Sequence, residues 1–245
     1  MPAYRNFKHY IDEGWSREPK ESFKSVGEVL NQRFGDGNFD YLDVGCATGE
    51  LINFVCQEYP NVRATGCDVF GTLLDRARNL LPIPKFIEAS GTNLPDSLSD
   101  AFDVVTAVGV ISIFGPDDLK CFWQNLTKVC RTSGIIIVLG PLNDFGVDTV
   151  IRHRKRMDGQ LGEWESGWNV FAKETVTEIV EDLGWKIEIR RFSPRLELEP
   201  VADPVRTWTL PTAKNPWQLT NGLQLLVNHY LMIATYERVA NQEPA

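Results

Sequence analysis

Residues 41–50 read YLDVGCATGE. The carboxylate of Asp43 ends an apolar run, and Gly45 and Gly49 bracket a turn of small residues, Cys46, Ala47 and Thr48. Glycine permits a tight strand-to-helix turn and a close approach of ligand to backbone. The helix N-terminus beyond such a turn attracts anions, and dinucleotides use it through a three-glycine G-x-G-x-x-G pattern. Here only two glycines remain, at another spacing, and Asp43 would oppose a pyrophosphate. The arrangement suits a ligand with cationic groups and no phosphate. Asp68 closes VRATGCDVF, 68 − 49 = 19 residues beyond Gly49 and next to Val69. At the end of a neighbouring strand, such a carboxylate can accept both hydroxyls of a ribose. EASGTNLPD then offers Ser90, Gly91 and Thr92 for the edge of a base, and AVGVISIF offers Val108 and Gly109 beneath its ring. Taken singly, Asp43 reads better as a strand-end acid satisfied by backbone N–H groups, Asp68 reads equally well as a turn cap, and the glycines read as turn formers. The combination is what points to a nucleoside-like ligand.

A second set of chemistry-bearing residues lies in PLNDFGVDTVIRHRKRMDGQLGEWESGW, residues 141–168. His153 has the near-neutral basicity of a general base, with Asp144 as its rival. Arg152, Arg154, Lys155 and Arg156 form a basic cluster, read either as a solvated face or as a holder of acceptor phosphate or carboxylate. Trp164 and Trp168 are read as an acceptor wall or as core. Trp15, in an aromatic-rich start with Tyr4, Phe7 and Tyr10, is placed over the pocket and against the substrate. The other two histidines, His9 and His229, fall in less suggestive places. Ile111-Ser112-Ile113-Phe114 carries no histidine, asparagine or acid, which removes an amine-binding N-P-P-Y-type motif. Phe114 is expected near the ligand.

These residues need a scaffold. Short β-branched runs at 39–45, 62–68, 85–89, 102–108 and 134–140 alternate with stretches of helical apolar spacing. That alternation predicts a doubly wound α/β fold: a parallel sheet between two helical layers, with right-handed crossovers. A helix is expected over 18–34, inside an N-terminal helical cap segment of residues 1–37. The main domain is expected over 38–245. A helix at 172–183, a sixth strand at 185–192 and a last strand at 229–239 complete it. The proline-rich stretch at about 194–225 is read as a β-hairpin excursion, serving as a lid or a dimer contact.

YLDVGCATGE, GCDVF, FIEASGTNLPD and FDVVTAVGVISIF resemble motifs I to IV of the class I S-adenosylmethionine-dependent methyltransferases. The resemblance covers about residues 38–140. It implies a Rossmann-like seven-stranded sheet whose last strand alone runs antiparallel. It also implies S-adenosylmethionine as cofactor and S-adenosylhomocysteine as product. By motif, Asp43 and the Gly45–Gly49 loop face the methionine part, Asp68 the ribose, and Ser90, Gly91 and Thr92 the adenine. Ala47 departs from the usual middle glycine, and Ser90 stands where many members have an aspartate. The C-terminal third is similar to small-molecule methyltransferases, which implies transfer to a hydroxyl of a sugar-linked or secondary metabolite. A small amine acceptor, and a cofactor-binding protein without catalysis, are the competing readings.

Composition sets the outer bounds. The 245 residues are 43% hydrophobic and 24% charged, the balance of a globular domain. No apolar run approaches the roughly 20 residues of a membrane helix, and MPAYRNFKHYIDEGW has no signal-peptide core. Five cysteines without metal-type spacing are read as buried, reduced thiols in a cytoplasmic protein, with no metal expected. A net charge of −8 opposes a general nucleic-acid role. The expected partner is a small-molecule acceptor, without membrane, and a homodimer is open.

Overall fold

The computed structural model describes residues 10–11, 14–157, 159–200, 207–221, 223 and 225–237. Tyr4, Phe7, His9, part of the proline-rich stretch (201–206) and the last two residues of the expected final strand lie outside these.

Helix α1 (Glu21–Phe34) precedes strand β1 (Asp40–Val44), which leads through α2 (Glu50–Glu58) to β2 (Arg63–Asp68). Helix α3 (Gly71–Leu80), β3 (Lys85–Glu88) and β4 (Phe102–Val108) follow, then α4 (Pro116–Val129) and β5 (Cys130–Asn143). Beyond β5 the long polar loop folds into two small antiparallel pairs. β6 (Arg152–His153) pairs with β9 (Glu165–Ser166), and β7 (Arg156–Met157) with β8 (Gln160–Leu161). β10 (Phe171–Ala172), α5 (Lys173–Asp182), β11 (Trp185–Phe192), a hairpin of β12 (Thr207–Leu210) and β13 (Gln218–Asn221), and β14 (Asn228–Tyr236) complete the described chain.

The central sheet runs β11-β14-β5-β4-β1-β2-β3. β14 is antiparallel to both its neighbours, and β1 to β5 are parallel. The seven expected strands are therefore present in that order. The two-residue β10, which pairs in parallel with β5, is an addition that the sequence pattern did not disclose. It is too short to carry a periodicity.

Alternation along the strands sorts the core into two layers. Tyr41, Val104, Ile135, Ile137, Leu139, Leu231 and Ile233 face α1, α2 and α3. Leu42, Val44, Val105, Ile136, Val138, Met232 and Ala234 face α4 and α5. A strand buried on both faces reads as a continuous apolar run such as GIIIVLG, because successive side chains serve opposite layers. Helix α4 supplies Leu119, Phe122, Trp123, Leu126 and Val129 at helical spacing, after Pro116 in its first turn with Asp117 and Asp118. Phe23, Val26, Val29 and Leu30 of α1 belong to the same cluster as Tyr41 and Ile52. The N-terminal helix thus packs as part of the sheet's core, not as a separate layer.

The order in which strands are added reverses between β1 and β4: β2 and β3 build outward on one side, β5 on the other. Ligands bind outside the carboxyl ends of strands at such a switch point. Beneath it the packing is close. A Cβ at Gly66 of β2 would lie 2.6 Å from Ile52 Cδ1 and 2.7 Å from Cys46 Sγ. Gly66→Ala should destabilise the fold by about 1–3 kcal/mol through overpacking, read as a lower denaturant midpoint at unchanged m-value.

Candidate functional site

A cavity of about 760 Å³ opens at the switch point. Its walls come from the loops after β1, β2, β3 and β4, from residues 16–24, from the β6/β9 pair, and from the 194–227 region.

At one end the backbone forms the wall. Gly45 and Gly49 have φ of +77° and +84°, and a Cβ at Gly45 would meet Val110 Cγ2 at 2.6 Å. Ala47 also lies in the left-handed region, at φ +47°. The glycine usually found there is thus replaced by a residue that bears some strain. Asp68 is buried at the end of β2. Its Oδ2 accepts the Ala47 N–H at 2.9 Å and its Oδ1 the Phe70 N–H at 3.0 Å. Burial raises its pKa, while the backbone donors of Ala47, Phe70 and Val69 act in the opposite sense. With three backbone N–H groups directed at it, at least one of the roughly four lone-pair positions of the carboxylate remains for a ligand. A Cβ at Gly109, φ +75°, would meet nothing within 4 Å, so the floor there is open. The cavity at this end is a cradle for a flat, hydroxyl-bearing ligand.

Gly45, Ala47, Asp68, Val69, Ser90, Gly91, Val108 and Gly109 all line the cavity. Cys46, Thr48, Gly49, Thr92 and Asp43 stand outside the lining. Cys46 turns into the core. Thr48 Oγ1 accepts the Trp15 Nε1–H at 3.0 Å, and Glu50 binds the Ser16 N–H at 2.7 Å and the Lys20 ammonium. Trp15 is therefore a latch on the loop, with its neighbour Ser16 on the cavity wall. Thr92 Oγ1 and Ser90 Oγ lie 2.8 Å apart, and Ser90 Oγ accepts the Thr92 N–H at 3.2 Å, so both hydroxyls are engaged in their own turn. Asp43 is buried behind the loop, where its Oδ1 accepts the Thr106 hydroxyl at 2.7 Å, itself 2.7 Å from Tyr41 Oη. Burial pushes its carboxyl up to about 7, against the Thr106 hydrogen bond and helped by the nearby Asp68. A cation arriving at the loop would favour the ionised form.

The other end is apolar, walled by Ile113, Phe114, Leu196, Leu198, Leu219 and Val227 among others. Two imidazoles meet it. His153 Nε2 is 3.8 Å from Glu165 Oε2, and both residues line the cavity. The His153 Nδ1 is sealed without a partner, and burial lowers the pKa of the ring against the raising effect of Glu165. His229, which sequence reasoning passed over, also lines the cavity.

Trp168 is on the wall in a left-handed conformation, φ +63°, uncommon for a bulky residue. The next residue, Asn169, donates to Phe114 O at 2.6 Å and to Ser112 O at 2.8 Å and accepts from Ile151 N at 2.8 Å.

Three expected site residues are corrected. Arg152 and Trp164 stand outside the cavity: in the β6/β9 ladder, His153 opposite Glu165 faces in, so their neighbours face out. Trp164 is 54% exposed, with the Arg152 and Arg154 guanidiniums 5.8 and 4.9 Å from its ring centroid. Asp144 is no base. It accepts from Tyr230 Oη and Lys173 Nζ at 2.5 Å each and from Asn228 Nδ2 at 3.1 Å. Burial alone would raise its pKa, but these three donors outweigh burial and hold it at about 2. The cysteine reading also changes in detail: Cys46, Cys67 and Cys130 are buried, whereas Cys121 is exposed. Among the described residues no cluster of metal-ligating side chains occurs, and no helix is long and apolar enough to cross a membrane.

Residues 42–134 match the family described as "Methyltransferase domain". The chain is 24% identical over 187 residues to a trans-aconitate 2-methyltransferase from Escherichia coli, covering 74% of this chain and 69% of that protein. The fold resembles the sugar N-methyltransferase KedS8 from Streptoalloteichus, with TM-score 0.59, 14% identity, and coverage of 94% and 93% of the two chains. It also resembles a Burkholderia thailandensis 1,6-didemethyltoxoflavin-N1-methyltransferase solved with S-adenosylhomocysteine, with TM-score 0.56, 13% identity, and coverage of 88% and 79%.

A carboxylate whose pKa is depressed on folding stabilises the fold above its unfolded value and loses that contribution as pH falls through its folded value. For Asp144 the window runs from the ordinary 3.8 down to about 2. Asp144→Asn should therefore lower stability at neutral pH and flatten the loss of stability between those values, measured by chemical denaturation across the acid range.

Proposed function

In a chain that carries the class I S-adenosylmethionine-dependent methyltransferase domain, we propose that the loop end of this cavity binds the cofactor and the apolar end binds a small molecule methylated on a hydroxyl. The observation that carries the hydroxyl reading is the His153–Glu165 pair on the cavity wall, 3.8 Å between Nε2 and Oε2.

The residues at the loop end fit the cofactor. Asp68 would accept the ribose hydroxyls with its remaining lone pairs, Gly91 and Val108 would border the adenine, and the Gly45–Gly49 loop would lie along the methionine part. Asp43, from behind the loop, supplies negative charge for an ammonium or sulfonium. When bound, the cofactor supplies an electrophilic methyl group on a good leaving thioether.

The chain's own task is then alignment and proton removal. The apolar wall excludes water and orients the acceptor, and proximity supplies much of the acceleration. His153 takes the hydroxyl proton as the new carbon–oxygen bond forms. Glu165 beside Nε2 stabilises the imidazolium that forms. A neutral amine needs no such base early in the reaction, and a polycarboxylate needs unpaired cations. Lys20 and Lys24 on the cavity wall are already matched with Glu50 and Glu21, and Lys155, also on the wall, is itself engaged. The hydroxyl reading answers to both facts.

Calorimetric titration with S-adenosylhomocysteine, with NADH as control, tests the cofactor half. Binding of the first alone is expected, and Asp68→Ala should weaken it by about 1–3 kcal/mol. Unchanged affinity in that variant would remove Asp68 from the ribose. For the base, His153→Ala should leave cofactor affinity intact while slowing turnover by about 10²–10⁴-fold. A rate that does not change would remove His153 from the reaction.

A further inference from the structure

His229 occupies a position that nothing in the proposed reaction uses. It sits near the start of β14, with Phe192 of β11 on one side of it and Pro141 of β5 on the other. All three line the cavity, so a row across three strands forms part of its wall. Val227, two residues earlier, donates its N–H to Leu219 O at 3.0 Å, and both of these line the same region. No charged group stands among these neighbours.

The ring has one nitrogen to spare for a ligand. Its Nδ1 is sealed and without a hydrogen-bond partner. An orphaned buried N–H is rarer than an under-satisfied acceptor, so Nδ1 is the bare lone pair and the proton belongs on Nε2. Burial drives the pKa down to about 4, which keeps the imidazole neutral at physiological pH.

The strand around it is fixed. Asn228 and Tyr230, the two flanking residues, both bond Asp144, at 3.1 and 2.5 Å, and Lys173 lies 4.0 Å from the Tyr230 ring centroid while pairing with the same carboxylate. Alternation along β14 turns these two away and leaves His229 on the opposite face. Asp144, expected as a base, is thus a positioning residue for the strand that presents His229.

We propose that His229 donates its Nε2–H to an oxygen of the acceptor, and that the acceptor is an uncharged, largely apolar molecule carrying that oxygen as well as the hydroxyl to be methylated. The inference rests on the methyl-transfer reading above. A carboxylate placed against Phe192, Pro141, Leu219 and Val227 would lose its hydration and gain from His229 only a neutral donor, an unfavourable exchange. A carbonyl, ester or ether oxygen loses little and gains a directional bond.

The probes are methyl 4-hydroxybenzoate and 4-hydroxybenzoate, which share one frame and differ in charge. Each is titrated calorimetrically into the protein saturated with S-adenosylhomocysteine. The ester should bind at least about tenfold more tightly than the carboxylate. His229→Leu should weaken the ester by about five- to tenfold, and His229→Gln, which keeps a neutral donor, should recover most of the loss. In the wild-type protein, the His229 side-chain ¹⁵N resonances should move on adding the ester and stay in place on adding the carboxylate. An ester that does not bind, a carboxylate that binds as well, or an ester affinity indifferent to His229→Leu would overturn the proposal. S-adenosylhomocysteine affinity separates the two levels. If it is retained in all variants, such a result sinks the acceptor inference alone; if it is absent from the wild-type protein, the methyltransferase reading fails first.

Discussion

Asp68 accepts the Ala47 N–H through one oxygen and the Phe70 N–H through the other. One buried carboxylate thereby joins the loop after β1 to the loop after β2, and the mouth of the cavity is built on that joint. Much follows from it. The Ala47 N–H is aimed by a left-handed backbone, which Gly45 and Gly49 flank with positive φ of their own. That curl brings Gly45 against Val110, the first turn after β4. Three strand ends are thus drawn to one point by a charge that burial penalises and backbone donors stabilise.

The opposite end of the cavity depends on the period of two in extended chain. In the β6/β9 ladder His153 and Glu165 face in, while Arg152 and Trp164 face out to form an exposed cation–π cluster. In β14 His229 faces in, while Asn228 and Tyr230 face the Asp144–Lys173 pair. The same rule that divides the core into two layers therefore sorts the site from its supports. A shift of one residue in either strand would exchange the two sets.

The scaffold was legible because strands buried on both faces and helices buried on one leave distinct periods, as GIIIVLG and DDLKCFWQNLTKVC do. The loop end was legible too, since Gly45, Asp68 and Gly109 are demanded by backbone shape and strand position, both local in sequence. Asp43 and Thr48 belong to the same motif, yet their side chains serve the support: one bonds Thr106 behind the loop, the other holds Trp15. The apolar end was read less well. Its polarity suggested Asp144, Arg152 and Trp164, but pairings across 12 to 86 residues decide where those side chains point. His229 gave no signal, for a histidine near the start of an apolar strand looks like core until its neighbours in register, Phe192 and Pro141, are known.

The two sides of the cavity are held by interactions of different kinds. On the Trp168 side, a left-handed tryptophan stores strain of about 1–2 kcal/mol. Three hydrogen bonds hold it there: buried Asn169 donates to Phe114 and Ser112 and accepts from Ile151. Bonds of that kind are expensive to break, because each buried partner would be left unsatisfied. On the N-terminal side, Trp15, Ser16 and Lys20 reach Thr48 and Glu50 through contacts that are partly or fully exposed. Exposed pairs contribute about 0–1 kcal/mol each, because water replaces them readily. The Trp168 wall is therefore anchored, and the strap across the Gly45–Gly49 loop is fastened lightly to the same two residues, Thr48 and Glu50, that flank the last glycine of the turn.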